Sequence, residues 1–220
     1  MKKLFLALLL ASITGAASAF IIPTGPTNPA TPPTDAINVT VNADDAISVY
    51  ISNNDATLGT LIGSGSSWST TDTFSSSALT AGVTNYLHVV VVNGGGPGGF
   101  LGDFSLTGAG FEFANGTGNL LTESSDSSWG QNLTGFGNSY SAVVNEGANG
   151  VSPWGFMSGY GSDQPDWIWN YASNNSSDTN TVYFSAVIDP TAPASVPEPA
   201  SLSLMGLGLL GLIGLRKRFN

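Results

Sequence analysis

Between Ile37 and Ile51 the apolar residues recur at every second position. Ile37, Val39 and Val41 come first, then Ile47, Val49 and Ile51, with Asn38, Thr40, Ser48 and Tyr50 between them. A repeat of two puts one set of side chains on one face of an extended strand, whereas a helix needs a repeat near 3.6. No stretch in the middle of the chain has helical amphipathic spacing over three turns. Asn53-Asn54-Asp55 marks a turn, after which the chain resumes through Leu58, Leu61 and Ile62. Tyr86–Val92 is a nearly continuous apolar run ending in four β-branched residues, and such runs read as strands buried on both faces. Phe111–Phe113, Tyr140–Val144 and Thr181–Ile188 are further candidate strands, separated by Ser, Asn and Gly clusters. The pattern predicts an all-β fold, an antiparallel β-sandwich over residues 35–190. A unit of about 155 residues is large enough to fold without disulfides, and the 220-residue chain has no Cys to form one.

Charge is distributed in an extreme way. The five basic residues are Lys2, Lys3, Arg216, Lys217 and Arg218, and all 15 acidic residues lie between them, from Asp35 to Glu198. No Lys or Arg salt bridge can form inside the domain. Each carboxylate must be solvated, hydrogen-bonded or bound to a cation, because burying a bare charge is costly. Nucleic acid is excluded as a partner, since phosphate affinity comes largely from Lys and Arg. A hard cation is compatible with oxygen ligands, so calcium is the one metal considered, with Asp44, Asp45, Asp103 and Glu112 as candidate ligands. No Asp-x-Asp-x-Asp-Gly loop supports it, and no other cofactor is expected.

The two ends read as addresses. Lys2-Lys3, the apolar run Leu4–Leu10 and the small residues Ala17-Ser18-Ala19 predict a signal peptide over 1–19, cleaved after Ala19 with Ala17 in the cleavage site. Sec-type export machinery is the expected first partner. A Pro/Thr-rich linker, 20–34, and a second linker, 191–199, flank the sandwich. At the other end Val196-Pro197-Glu198-Pro199 precedes an apolar Gly/Leu run, 200–215, closed by Arg216-Lys217-Arg218. That run predicts a transmembrane helix of roughly 24 Å, just short of a comfortable bilayer span, with the basic cluster on the cytoplasmic side. This order, over 196–218, resembles the PEP-CTERM sorting signal of exported bacterial proteins. The resemblance implies an exosortase as partner, a transient inner-membrane anchor, and release to the cell surface or extracellular matrix of a Gram-negative-type bacterium.

Motifs that could carry chemistry are few. Asn93 to Phe100 is glycine-rich, but no Gly-Lys-Ser/Thr follows, so a tight loop or a close backbone approach is expected rather than a phosphate cradle. His88 is the only histidine and sits mid-strand. A Ser/His/Asp triad is conceivable around it, but no Gly-x-Ser-x-Gly elbow exists, and a packed strand histidine is the expectation. A carboxylate pair for glycoside hydrolysis would come from Asp44-Asp45, Asp103, Glu112, Glu123 and Asp126. Trp68, Trp129, Trp154 and Trp167, with Tyr160, lie near loop-type residues and are candidates for stacking on sugar rings. Core filling is the alternative for each of them, and Trp167 and Trp169 are expected to share one face of a strand.

The run Val41-Asn42-Ala43-Asp44-Asp45, the strand Ile47–Ile51, Trp68, Leu79-Thr80-Ala81-Gly82, the Tyr86–Asn93 strand with its Gly-rich loop, Asp126-Ser127-Ser128-Trp129 and Trp167-Ile168-Trp169 together resemble galactose-binding-like jelly-roll domains. One departure is Ser52-Asn53-Asn54-Asp55, where that family often has Asn-Gly. The resemblance implies sugar contact through loops at one end, and in some members a structural calcium. The expectation is therefore a non-catalytic, exported, exosortase-processed protein of the cell surface, matrix or biofilm that contacts exopolysaccharide or other glycans. A structural matrix protein with no specific ligand is the first alternative, and a glycan-active hydrolase is the second.

Overall fold

The computed structural model describes residues 34–123, 127–162, 164–170 and 180–191. The expected signal peptide with its cleavage site, nearly all of both linkers, the sorting segment 196–218 and the membrane helix lie outside the described residues, as does Asp126. Among the described residues no helix is long and apolar enough to cross a membrane.

Among the described residues thirteen strands follow in chain order. They are β1 (Ala36–Asp44), β2 (Ala46–Ser52), β3 (Thr60–Gly65), β4 (Asp72–Ser76), β5 (Asn85–Val92), β6 (Gly99–Thr107) and β7 (Phe111–Phe113), then β8 (Asn119–Leu121), β9 (Gly130–Asn132), β10 (Ser141–Ala142), β11 (Val144–Ala148), β12 (Asp166–Trp169) and β13 (Thr181–Pro190). One sheet runs β11-β12-β6-β1-β4, with β8 also on β6. The other runs β10-β9-β13-β5-β2-β3, with β7 also on β13. Every pairing is antiparallel. The expected two-sheet antiparallel sandwich is therefore present.

The period-two pattern explains which faces meet. Ile37, Val39, Val41 and Ala43 of β1 face Ile47, Val49 and Ile51 of β2 and Leu87, Val89 and Val91 of β5 across a dry interior. Fully burying such a side chain contributes about 1.5–3 kcal/mol. Phe100, Phe104, Trp129 and Phe184 fill the middle of that interior. Phe100 lies 5.5 Å from Trp129 and 5.2 Å from Phe184, measured between ring centres.

Two expectations need correcting. Tyr86–Val92 is not buried on both faces: Tyr86 and Val90 are half-buried and Val92 is exposed. Leu87, Val89 and Val91 enter the core, while loops cover the other side only in part. Tyr140–Val144 is not one strand. Ser141–Ala142 pairs with β9 in one sheet, and Val144 begins β11 in the other, so this stretch carries the chain across the sandwich. The glycine-rich stretch shows both features expected of it, a tight turn and a close backbone approach. Gly95 and Gly96 take positive φ in a turn held by Asn93, but Gly99 already opens β6, a strand in the interior of its sheet. A Cβ on Gly98 would lie 2.3 Å from the Trp169 ring, and one on Gly99 would lie 2.7 Å from Trp154. The glycines make room for indoles there.

The chain enters and leaves the sandwich at one end. The Asp35 carboxylate accepts a hydrogen bond from the Gly110 amide, and the Thr191 amide donates to the Gly110 carbonyl.

Candidate functional site

Along β6 the side chains alternate: Phe100 and Phe104 point inward, and Leu101 and Asp103 outward. The outer face of this sheet is partly covered by the segment between β11 and β12. Trp154 and Met157 from that segment form a second apolar cluster with Leu101 and Trp167, with Val151 and Tyr160 against it. The Trp154 and Trp167 rings stack 4.4 Å apart at 16°. Buried Asn42 ties the segment down, because its Oδ1 accepts hydrogen bonds from the Tyr160 and Thr71 hydroxyls while its Nδ2 donates to the Trp68 carbonyl. Burial, reinforced by nearby Asp103, pushes the Tyr160 phenol well above its usual range.

Beyond Tyr160 a cleft of about 320 Å³ remains. Asp103, Asn115, Asn119, Leu121, Glu123, Gly161 and Ser162 line it. Pairing of β6 with β8 sets Asp103 opposite Leu121, which brings Asp103 and Glu123 to the same depression. Asn115 braces the turn before β8 by donating to the Asn119 carbonyl and accepting from Thr117. The walls offer carboxylate acceptors, amides that both donate and accept, a hydroxyl, and one aliphatic surface. This is a donor set for a hydroxyl-rich ligand. Asn119, Leu121, Gly161 and Ser162 were not singled out from the sequence, where they lie in Gly-, Ser- and Asn-containing stretches.

The stacking candidates fare differently from one another. Trp129 is 2% exposed, and its Nε1 donates to the Leu121 carbonyl. Trp154 is 5% exposed and Trp167 fully buried. None of the three presents a ring face to a sugar, so their assignment as glycan contacts is corrected to core packing. Tyr160 is half-buried with its hydroxyl engaged by Asn42. Trp68, between β3 and β4, is 37% exposed. Trp167 and Trp169 do not share a cluster either: Trp167 joins the outer one and Trp169 the interior, where it meets Phe184.

The four calcium candidates are separated. Asp44 and Asp45 lie at the turn from β1 to β2, Asp103 lies in the cleft, and Glu112 lies on β7 in the opposite sheet. Among the described residues no three carboxylates or histidines come together to hold a metal, so the set Asp44, Asp45, Asp103 and Glu112 is not a single site. Asp45 instead accepts the Gly94 amide at 2.7 Å, and Asp44 accepts Trp154 Nε1 at 2.9 Å. Burial, with adjacent Asp45 adding to it and Trp154 opposing it, pushes the Asp44 carboxyl up to about 6. A carboxyl that holds its proton more tightly when folded stabilises the fold fully below the ordinary 3.8, and this contribution is lost as pH rises through about 6. Asp44→Asn is therefore expected to melt higher than the wild type at neutral pH. Melting curves at several pH values check this, and the gap must close below pH 3.8.

A second polar cluster sits on the outer face of the other sheet. Asp55 Oδ1 accepts hydrogen bonds from Tyr140 at 2.8 Å, Ser185 at 3.2 Å and His88 Nε2 at 3.2 Å. Phe136 stacks on His88, 3.7 Å away. Burial pushes the His88 imidazole below its usual range, against the pull of Asp55. Ser, His and Asp are all present, but the serine donates to the aspartate rather than to the histidine. That arrangement does not activate a nucleophile. It ties two loops to β5 and β13.

The fold and cleft define a two-sheet β-sandwich with a polar, acid-walled depression on one outer face. Residues 195–218 match the PEP-CTERM protein-sorting motif. The match supports an exported protein, processed by exosortase through a membrane-anchored sorting intermediate. No curated protein and no solved structure matches the chain.

Proposed function

We propose that the protein is a non-catalytic component of the cell surface or extracellular matrix that holds polysaccharide in the Asp103–Glu123 cleft. The observation that carries this reading is the cleft itself: hydrogen-bonding side chains with one aliphatic wall, on a chain that bears a sorting motif for export. Sec-type export and a galactose-binding-like jelly-roll scaffold are parts of the same reading. The scaffold enters as an analogy and lends no ligand residue.

Retention on immobilised exopolysaccharide tests it. The double substitution N119A/E123A is expected to cut retention at least about tenfold, the equivalent of 1.4 kcal/mol, with the melting temperature unchanged. Retention that survives the double substitution removes the cleft from the reading. A protein that polysaccharide never retains is instead a structural matrix component. A second reading rests on two carboxylates lining one cleft, which is also the layout of a glycoside hydrolase. Release of new reducing ends from the polysaccharide, abolished by D103N or E123Q, would replace the non-catalytic reading.

A further inference from the structure

We infer that the cleft selects an amine-bearing sugar, a hexosamine unit whose amino group is free, over neutral and acidic sugars. The inference rests on the reading of the cleft as a glycan site and adds to it the charge of the ligand. Among the seven described lining residues two are carboxylic acids, Asp103 and Glu123, and none is basic. No Lys or Arg lies between Leu4 and Leu215, so the sandwich has no cation of its own to receive a uronate or a sulfate. An acidic polysaccharide would bring like charge to a chain already carrying 15 carboxylates. A sugar ammonium reverses that sign and forms charge-assisted hydrogen bonds, which are about twice as strong as neutral ones. Leu121 supplies apolar surface for the C–H face of the ring, while Asn119 and Ser162 suit its hydroxyls. At about 320 Å³ the cleft is at the small end of ligand pockets, which fits recognition of a single unit within a longer chain.

The test measures binding of the full chain to three oligomers of equal length: glucosamine, N-acetylglucosamine and a uronic acid. A mildly acidic buffer keeps the amine charged. Glucosamine oligomer is expected to bind at least about tenfold more tightly than either other, and to weaken as salt screens the charges. D103N/E123Q should erase the preference. E112Q/D189N removes the same charge from the opposite sheet and should keep the preference, which separates a site from general attraction between a polyanion and a polycation. Melting curves of both variants confirm folding. Equal or tighter binding of the acetylated oligomer overturns the inference and leaves the glycan reading standing. Equal loss in both double variants also overturns it. Failure of all three oligomers and of native exopolysaccharide overturns both.

Discussion

Phe100→Ala is expected to destabilise the protein by about 3–5 kcal/mol, the usual cost of emptying a large aromatic site in a closed core. Phe100 is fully buried and its ring is within 6.2 Å of three others, those of Phe104, Trp129 and Phe184, measured between centres. Those neighbours come from both sheets, so no single strand can move inward to fill the space. Urea unfolding measures the effect as a lower midpoint with an unchanged slope. A loss below about 1 kcal/mol would mean the core collapses around the gap, because the cost depends on the cavity that remains. Phe100→Leu should recover much of the loss.

Asp55→Ala should cost about 2–4 kcal/mol, since each buried donor left without an acceptor costs about 1–3 kcal/mol. The side chain of Asp55 is itself 29% exposed, but the three groups it serves include fully buried His88 and nearly buried Ser185. Asp55→Asn keeps an acceptor oxygen and should cost clearly less. Equal effects of the two substitutions would show that charge, rather than the number of hydrogen bonds accepted, is what the cluster needs. The variant should also loosen the loops that carry Asp55 and Tyr140, seen as faster amide hydrogen exchange there than in β5.

Strands with one wet and one dry face were legible because their alternation survives in the sequence. This holds for β1 and β2, whose apolar positions all reach the core. β6 was hidden for a physical reason. It opens on Gly99, where Trp154 and Trp167 press on the backbone, and the glycine-rich run that leads into it looks like a loop. The tryptophans misled in the opposite direction. Ser, Asn and Gly surround Trp154 in the sequence, yet the loop built from them folds over Trp167 and buries both rings. Trp68 stays 37% exposed, a difference of tertiary contact rather than composition. The cleft was half legible. Asp103 and Glu123 both stood out as carboxylates, but only the register of β6 against β8 places them together. The Asp55 cluster brings together a loop residue 85 positions away, Tyr140, and a β13 residue 130 positions away, Ser185, which no local pattern encodes.

Both tails meet the sandwich beside Gly110, and the first strand begins at Ala36 while the last ends at Pro190. Scissors applied outside that doorway, to either ribbon, cut no rung of the ladder. Trimming at that single hem therefore leaves the described ladder, from Ala36 to Pro190, whole.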